Sequence, residues 1–286
     1  MRVVIANPGA GKRVVAHGDI KRIFGNDVKF YISRYPGHST VLARQAIKEG
    51  AKEIIAMGGD GTFNEVLNGF FENDRLINPE ASLGLFLSGS SGDTMKTIKM
   101  PERIDVIRTE FADFEGRRSI RYCINMINIG LGGLVARTAY KLPRELGGYL
   151  RFMFSTFIAF PLFHGAGVEL FIDGEFKGSY LILDLAIANG RYTGGGMFMS
   201  PYSKENDGVL DVVVIEKLSL FKFIQNIPRL YQGTHLKRPE VHVFKGRRVT
   251  VKGKTTFEMD GETPGRLPLI ATVVPGAIRV FPVFYA

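Results

Sequence analysis

Glu53-Ile54-Ile55-Ala56-Met57-Gly58-Gly59-Asp60-Gly61-Thr62-Phe63-Asn64-Glu65-Val66 decides how this chain of 286 residues reads. An apolar run ends at Met57 and breaks at glycines. Phe63, Val66, Leu67 and Phe70 then recur at helical spacing. A strand that enters a helix through glycines sets bare N–H groups at the strand's carboxyl end, where open α/β sheets bind ligands. The pattern repeats on either side. Val3–Ala6 stops at Asn7-Pro8-Gly9, and Leu83–Leu87 runs into the small-residue loop 88–92. Between them the spacing predicts a helix over Ser39–Glu49, with Ser39 as N-cap, Leu42, Ala43, Ala46 and Ile47 on one face, and Gly50 as its stop. Strand, glycine loop and helix in this order indicate a doubly wound parallel sheet in an α/β domain.

Beyond about residue 120 the texture changes. Strand-like runs at Ser179–Ala188, Val209–Ile215, Val241–Phe244, Arg248–Val251 and Leu269–Val273 are joined by short links. Asp173-Gly174, Asp207-Gly208 and Asp260-Gly261 are strong turn pairs, so a second, antiparallel β-domain is expected. Helices are expected near Leu220–Leu230 and Leu150–Ala159.

Composition narrows the class. Apolar residues make up 45% and charged residues 23%, which is globular and excludes a disordered or fibrous chain. Lys and Arg number 37 against 28 Asp and Glu, a formal charge of +9. The basic residues are scattered in short pairs such as Lys12-Arg13 and Arg247-Arg248, which reads first as a solvated surface and second as attraction to an anionic membrane face. One cysteine, Cys123, excludes an intramolecular disulfide framework. No signal peptide or transmembrane segment is legible, since the oily stretch Phe152–Phe163 is short and contains Pro161. A soluble, cytoplasmic protein is expected.

The turn Gly58–Thr62 carries the chemistry. Its main-chain N–H groups could neutralise a phosphate, and Asp60 could hold Mg²⁺ through water. The bland alternative is a tight turn in which Thr62 and Glu65 form a capping box. Asn7-Pro8-Gly9-Ala10-Gly11-Lys12 fails as a Walker A loop, because Ala6 stands where glycine is required and Arg13 follows the lysine. It is kept as a second phosphate-proximal loop. Ser88-Gly89-Ser90-Ser91-Gly92-Asp93-Thr94 offers hydroxyls and one carboxylate.

Together GGDGTFNEV and NPGAGK resemble the diacylglycerol kinase catalytic family, specifically its bacterial soluble lipid kinases. Gly194–Ile215 (GGGMFMSPYSKENDGVLDVVVI) and Phe257–Glu262 (FEMDGE) resemble that family's downstream motifs, in the right order. The resemblance implies an NAD-kinase-like α/β domain and a β-sandwich-like domain with the active site in the cleft between them. The division expected is 1–120 plus 277–286 for nucleotide, and 121–276 for the lipid.

Carried over residue by residue, the resemblance implies ATP contacts at Asn7, Thr40, Gly58, Gly59, Asp60, Gly61, Thr62, Phe63, Asn64 and Ser90. Asp60 and Asp93 would organise catalytic Mg²⁺ indirectly. Glu262 would be the base, with Asp260 beside it in the metal and water network. A structural metal would be held by Asp207 and the carbonyls of Lys204 and Val209. Phosphoryl transfer needs such positioning, charge neutralisation and a proton acceptor. Without the family pattern, Asp260-Gly261 and Asp207-Gly208 read as plain turns.

The stretch Leu87–Lys96 departs from the family's pattern: Ser90 replaces threonine, Gly92 asparagine and Lys96 arginine, while Asp93 remains. That bears on the acceptor more than on ATP. The aromatic run Tyr149–Phe163 reads as a packed core helix, or as a segment that lines an acyl cleft or touches the bilayer beside Lys141, Arg144 and Arg151. An ATP- and Mg²⁺-dependent lipid kinase, meeting its substrate peripherally at an anionic membrane surface, is the leading reading. An NAD kinase-like enzyme and a catalytically weak nucleotide- or lipid-binding relative are the alternatives. Nucleic acid is not an expected partner. A homodimer is the default oligomer.

Overall fold

The computed structural model describes residues 1–10, 24, 27–88, 92–98, 100, 102–143 and 146–283. Its first half is built from β1 (Arg2–Ala6), β2 (Val28–Ile32), α1 (His38–Lys48), β3 (Glu53–Gly58), α2 (Asp60–Gly69), the small hairpin β4 (Phe71–Glu72) and β5 (Arg75–Leu76), β6 (Ser82–Leu87) and the short α3 (Asp93–Thr97). Strands β2, β1, β3 and β6 lie side by side and parallel, with Val3 opposite Ile54 and Ile54 opposite Leu83. Beyond their first residues, Arg2, Glu53 and Ser82, strands β1, β3 and β6 are apolar because both faces are covered, as parallel sheets require. Val3, Ile54 and Leu85 pack against α1 and α2, while Val4, Ile55 and Phe86 pack on the opposite face.

The second half contains β7 (Glu102–Ala112), β8 (Arg118–Cys123), β9 (Met126–Gly130), α4 (Leu131–Lys141), α5 (Gly147–Ala159), β10 (Ala166–Ile172), β11 (Glu175–Ala188), β12 (Leu210–Glu216), α6 (Leu220–Gln232), β13 (Val241–Gly246), β14 (Arg248–Gly253), β15 (Thr256–Met259) and β16 (Glu262–Val283). Its strands are antiparallel and enclose a core of Leu170, Leu185, Val212, Val251 and Phe257. Helices α4, α5 and α6 cover the outer face through Leu183, Ala186, Phe160 and Phe223. The expected fold class is therefore observed. The 22-residue β16 begins against β15 and ends parallel to β6, so one strand serves both halves.

Two capping expectations are corrected. Ser39 is buried within the first turn of α1, which starts at His38 behind Gly37 (φ 82°) with no side-chain cap. Nor do Thr62 and Glu65 form a capping box on α2. Glu65 instead crosses to α1 and accepts from the N–H groups of Gly37 (2.9 Å) and Ser39 (3.2 Å). A capping carboxylate from a neighbouring helix leaves no mark in local spacing. Thr62 is turned inward, and its Oγ1 would stand 2.3 Å from a Cβ at Gly58, so the strand-to-helix turn requires glycine there.

Gly69 sets the contact between α1 and α2. A methyl group at this position would lie 2.5 Å from the Ala43 side chain and 2.6 Å from the Thr40 carbonyl. Gly69→Ala is expected to destabilise the protein by about 1–3 kcal/mol through overpacking. Thermal denaturation should show a fall of several degrees, and an unchanged midpoint would contradict this packing.

Candidate active site

The turn after β3 delivers Asp60 as the first residue of α2. Its carboxylate accepts from the main-chain N–H groups of Asp93 (3.2 Å) and Thr94 (3.1 Å), bracing the start of α3. Asp93 is nearly inaccessible. It accepts from Gly195 N–H at 2.7 Å and pairs with Lys96 at 2.7 Å. Burial raises its pKa, the Lys96 bond works against that rise, and the neighbouring Asp60 charge adds to it. The Gly194–Gly196 segment is thus tied to the third glycine-rich loop. Lys96, which departs from the family's arginine, is the residue that pairs with Asp93.

Asp260 and Gly261 form the tight turn between β15 and β16, both at positive φ (46° and 93°). This is the hairpin that an Asp-Gly pair predicts, and it is also part of the site. Asp260 is buried. It accepts from the N–H groups of Ile124 (2.9 Å), Asn125 (3.3 Å) and Met126 (3.1 Å) and from Asn64 Nδ2 (3.0 Å). Burial raises its pKa, and Cys123, the Met126 and Ile124 N–H groups and Asn64 oppose the rise. Asn64 also donates to the Tyr122 carbonyl at 2.9 Å, so α2, the β8–β9 corner and the late turn are stapled together. A methyl group at Gly261 would sit 4.0 Å from the Gly61 nitrogen, and one at Gly61 would sit 3.8 Å from the Asp260 carbonyl. The two turns face each other directly.

Glu262 follows at the start of β16 and accepts from Arg121 Nη1 at 2.7 Å. Burial raises its pKa, Arg121 pulls it down, and the charges of Glu65 and Asp260 push it up again. It lines a cleft of about 1020 Å³ shared with Thr40, Arg44, Asn64, Glu65 and Arg121. The volume is in the range of small-molecule sites.

The other candidates are placed as follows. Asn7 lies beside the end of β3, its N–H donating to the Met57 carbonyl and its Oδ1 accepting from Gly9. Thr40 donates to the Glu65 carbonyl at 2.7 Å. The Thr62 and Phe63 side chains are buried, which leaves only their main chain to meet a ligand. Ser90 lies outside the described residues. Asp207 is exposed and accepts from Val209 N–H at 3.3 Å, in a loop pinned by Asp105, which binds Gly208 and Gly276 N–H at 2.7 Å each. Lys204 is exposed on the same loop. None of the described hydrogen bonds joins this loop to Asp60 or Asp260.

A buried acidic group was missed by sequence reasoning. Glu258 accepts from Asn128 Nδ2 at 2.6 Å and from Gly261 N–H, so it shapes the turn that presents Glu262. Burial pushes its pKa up to about 7. Asp184, on β11 across from Gly130, is likewise pushed up to about 7 by burial, with Glu258 adding to the effect. The alternation Glu258, Asp260, Glu262 was the one available signal. Arg121 had none.

Asp184 makes a pH prediction. Its folded pKa lies above the ordinary 3.8. The folded state therefore keeps a proton that the unfolded chain releases, and the contribution is full below about pH 4 and lost as pH approaches about 7. Asp184→Asn should flatten the fall of thermal stability across that window by a few kcal/mol. Melting curves of both proteins from pH 4 to 8 provide the check, and parallel curves would refute it.

Magnesium suits the chemistry of this donor set, because it keeps several waters and needs few carboxylates directly. Among the described residues no cluster of three or more His, Cys, Asp or Glu could ligate a metal outright. Each carboxylate oxygen of Asp60 and Asp93 already accepts a hydrogen bond from Asp93 N–H, Thr94 N–H, Lys96 or Gly195 N–H, which leaves contact through water as what this pair could offer a metal.

Comparison with known proteins finds matches over most of the chain. Residues 2–116 match the family described as diacylglycerol kinase catalytic domain, and residues 125–282 match the YegS C-terminal NAD kinase beta sandwich-like domain. The chain is 28% identical over 283 residues to the diacylglycerol kinase of Staphylococcus saprophyticus, covering 93% of this chain and 90% of that one. A crystal structure of a diacylglycerol kinase from Bacillus anthracis superposes with a TM-score of 0.69 at 17% identity, covering 98% of this chain and 96% of that one. Yeast NADH kinase reaches 0.50 at 12% identity, covering 100% and 84%. At these identities the structural likenesses speak to the fold alone.

Proposed function

This chain belongs to the diacylglycerol kinase catalytic-domain family and is a kinase of its lipid-kinase group, and from that premise we propose that it transfers the γ-phosphoryl of ATP, with Mg²⁺, to a hydroxyl of diacylglycerol or a related lipid. One observation carries the reading: the Asp260-Gly261-Glu262 turn abuts the glycine turn that begins α2. Acidic groups remote in sequence thereby meet where main-chain amides can receive a polyphosphate.

In the proposed reaction the N–H groups of Gly58–Thr62 and the N-terminus of α2 hold the phosphate chain. The nucleoside occupies the cleft lined by Thr40 and Glu65. Asp60 and Asp93 would hold magnesium through its waters, and the bound ion would supply positive charge to offset that on the transferred group. Glu262 accepts the proton of the acceptor hydroxyl, its burial making it a better base than an exposed carboxylate. One observation favours a second role for it. The ion pair with Arg121 on the cleft wall suits a residue that orients the nucleotide.

We assign nucleotide binding to 1–120 plus 277–286 and the lipid to 121–276. The assignment is supported by the parallel pairing of Arg279–Val283 with β6. The lipid is met at an anionic membrane surface. No helix among the described residues is long and apolar enough to cross a membrane. A structural cation is proposed at Asp207 with the carbonyls of Lys204 and Val209. If so, millimolar Mg²⁺ raises the melting temperature of the wild type and not of Asp207→Ala, and equal shifts would remove the site.

The deciding assay offers γ-labelled ATP with diacylglycerol, phosphatidylglycerol, a sphingoid base or NAD. Labelled lipid from diacylglycerol is expected. Labelled NAD alone would replace the lipid by a dinucleotide, and ATP binding without any product would make the chain a catalytically weak relative.

A further inference from the structure

Phe160, directly after α5, packs on Phe223 of α6, their rings stacked with centroids 4.8 Å apart. Phe157 and Leu220, one from each helix, line a single small apolar pocket with Phe223 and Ile227, so the two helices form one continuous face. The outward side of that face is oily. On α5 and the turn that follows it, Leu150, Phe154, Phe157, Ile158 and Leu162 are exposed, Leu162 at 68%. On α6, Leu220, Phe221 and Ile224 are exposed, Phe221 at 71%. Isolated surface hydrophobics need no explanation, but a contiguous group on paired helices marks an interaction surface.

Charge selects the occupant. Segments 131–141, 147–162 and 220–232 contain Arg137, Lys141, Arg151, Lys222 and Arg229 and no Asp or Glu; of these, Lys222 is paired with Glu240 at 3.0 Å. Two copies docked on this face about a two-fold axis would bring like-charged helices together. An anionic bilayer satisfies both features, taking aromatic side chains at its headgroup boundary and cations at its phosphates.

The position agrees with the chemistry. The inner side of the same helical layer covers the β9–β11 face of the second half. Helix α4 follows directly from β9, which carries the Asn128 bonded to Glu258 beside the Asp260 turn. The helical layer is therefore joined to the site through β9.

We propose that the α5–α6 face is the membrane-docking surface of this protein, seating Phe154, Leu162 and Phe221 in the interfacial layer of an anionic bilayer. The proposal rests on the lipid-kinase reading for its purpose, while the surface itself is tested without activity.

The test uses the full chain with vesicles of phosphatidylcholine alone or with one-third phosphatidylglycerol. Wild type should co-sediment with the mixed vesicles at least tenfold better than with neutral ones at low salt. Leu162→Glu with Phe221→Glu should lower partition to the mixed vesicles at least tenfold. Phe176→Glu, at an exposed aromatic on β11 (57%), should leave it unchanged. Melting curves of each variant report folding. Equal binding by the double variant, or equal loss in the Phe176 control, would overturn the proposal. So would a wild-type dimer converted to monomer by the double variant, which would give the face to a second copy. Phosphorylation of a dispersed short-chain diacylglycerol separates the two readings: vesicle binding lost with that activity intact supports docking and catalysis together. Vesicle binding lost in a chain that phosphorylates no lipid upholds docking and rejects the lipid-kinase reading.

Discussion

Asp60→Ala is expected to lower kcat roughly a thousandfold, the scale seen when a preorganised group acting on developing charge is removed. Two effects combine. The carboxylate proposed to hold magnesium through its waters disappears, and the Asp93 and Thr94 amides lose the acceptor that fixes the start of α3. The second effect costs about 1–2 kcal/mol of stability, so the variant should remain folded. Single-turnover transfer beside a melting curve separates the losses. Asp60→Asn, which keeps an acceptor oxygen but not the charge, should be almost as inactive. Near-wild-type transfer by the asparagine variant would reduce Asp60 to a brace.

Glu262→Gln should lower kcat by about 10²–10⁴, the span of general-base contributions, with KM for ATP changed only a few-fold. The pH dependence strengthens the test. A base must be ionised, so wild-type activity should fall as pH drops through the raised pKa of Glu262, and that acidic limb should vanish in the glutamine variant. Removing the cation in Arg121→Ala takes away the charge that favours the carboxylate, so the limb should move to higher pH. If Glu262→Gln keeps kcat and raises KM for ATP tenfold, Glu262 orients nucleotide and the base lies elsewhere.

The parallel half of the fold was legible because its signals are local. Glycine turns follow apolar runs at Met57 and Leu87, and helix α2 repeats its apolar positions at Phe63, Val66 and Leu67. Asp173-Gly174 and Asp260-Gly261 likewise placed hairpins, the second of which holds Asp260, whereas Asp207-Gly208 sits in the loop before β12. The rest depended on contacts distant in sequence. Glu65 caps a helix 28 residues upstream, Asp260 collects amides more than 130 residues away, and Arg121 meets Glu262 across 141 residues. No periodicity encodes such pairings. The aromatic run around Phe157 showed the same limit. Spacing identified a helix, but only the packing of Phe160 on Phe223 shows which side faces inward.

The 22-residue β16 has a consequence for how this protein can be divided. Its final residues are the lateral neighbour of β6 in the parallel sheet, and its middle residues pair with β7 and β14. Cutting the chain near residue 116 would strip β6 of that neighbour and leave a row of open amides and carbonyls, an invitation to intermolecular pairing. The two halves are thus poor candidates for exchange as independent cassettes, and denaturant should melt them in a single cooperative step.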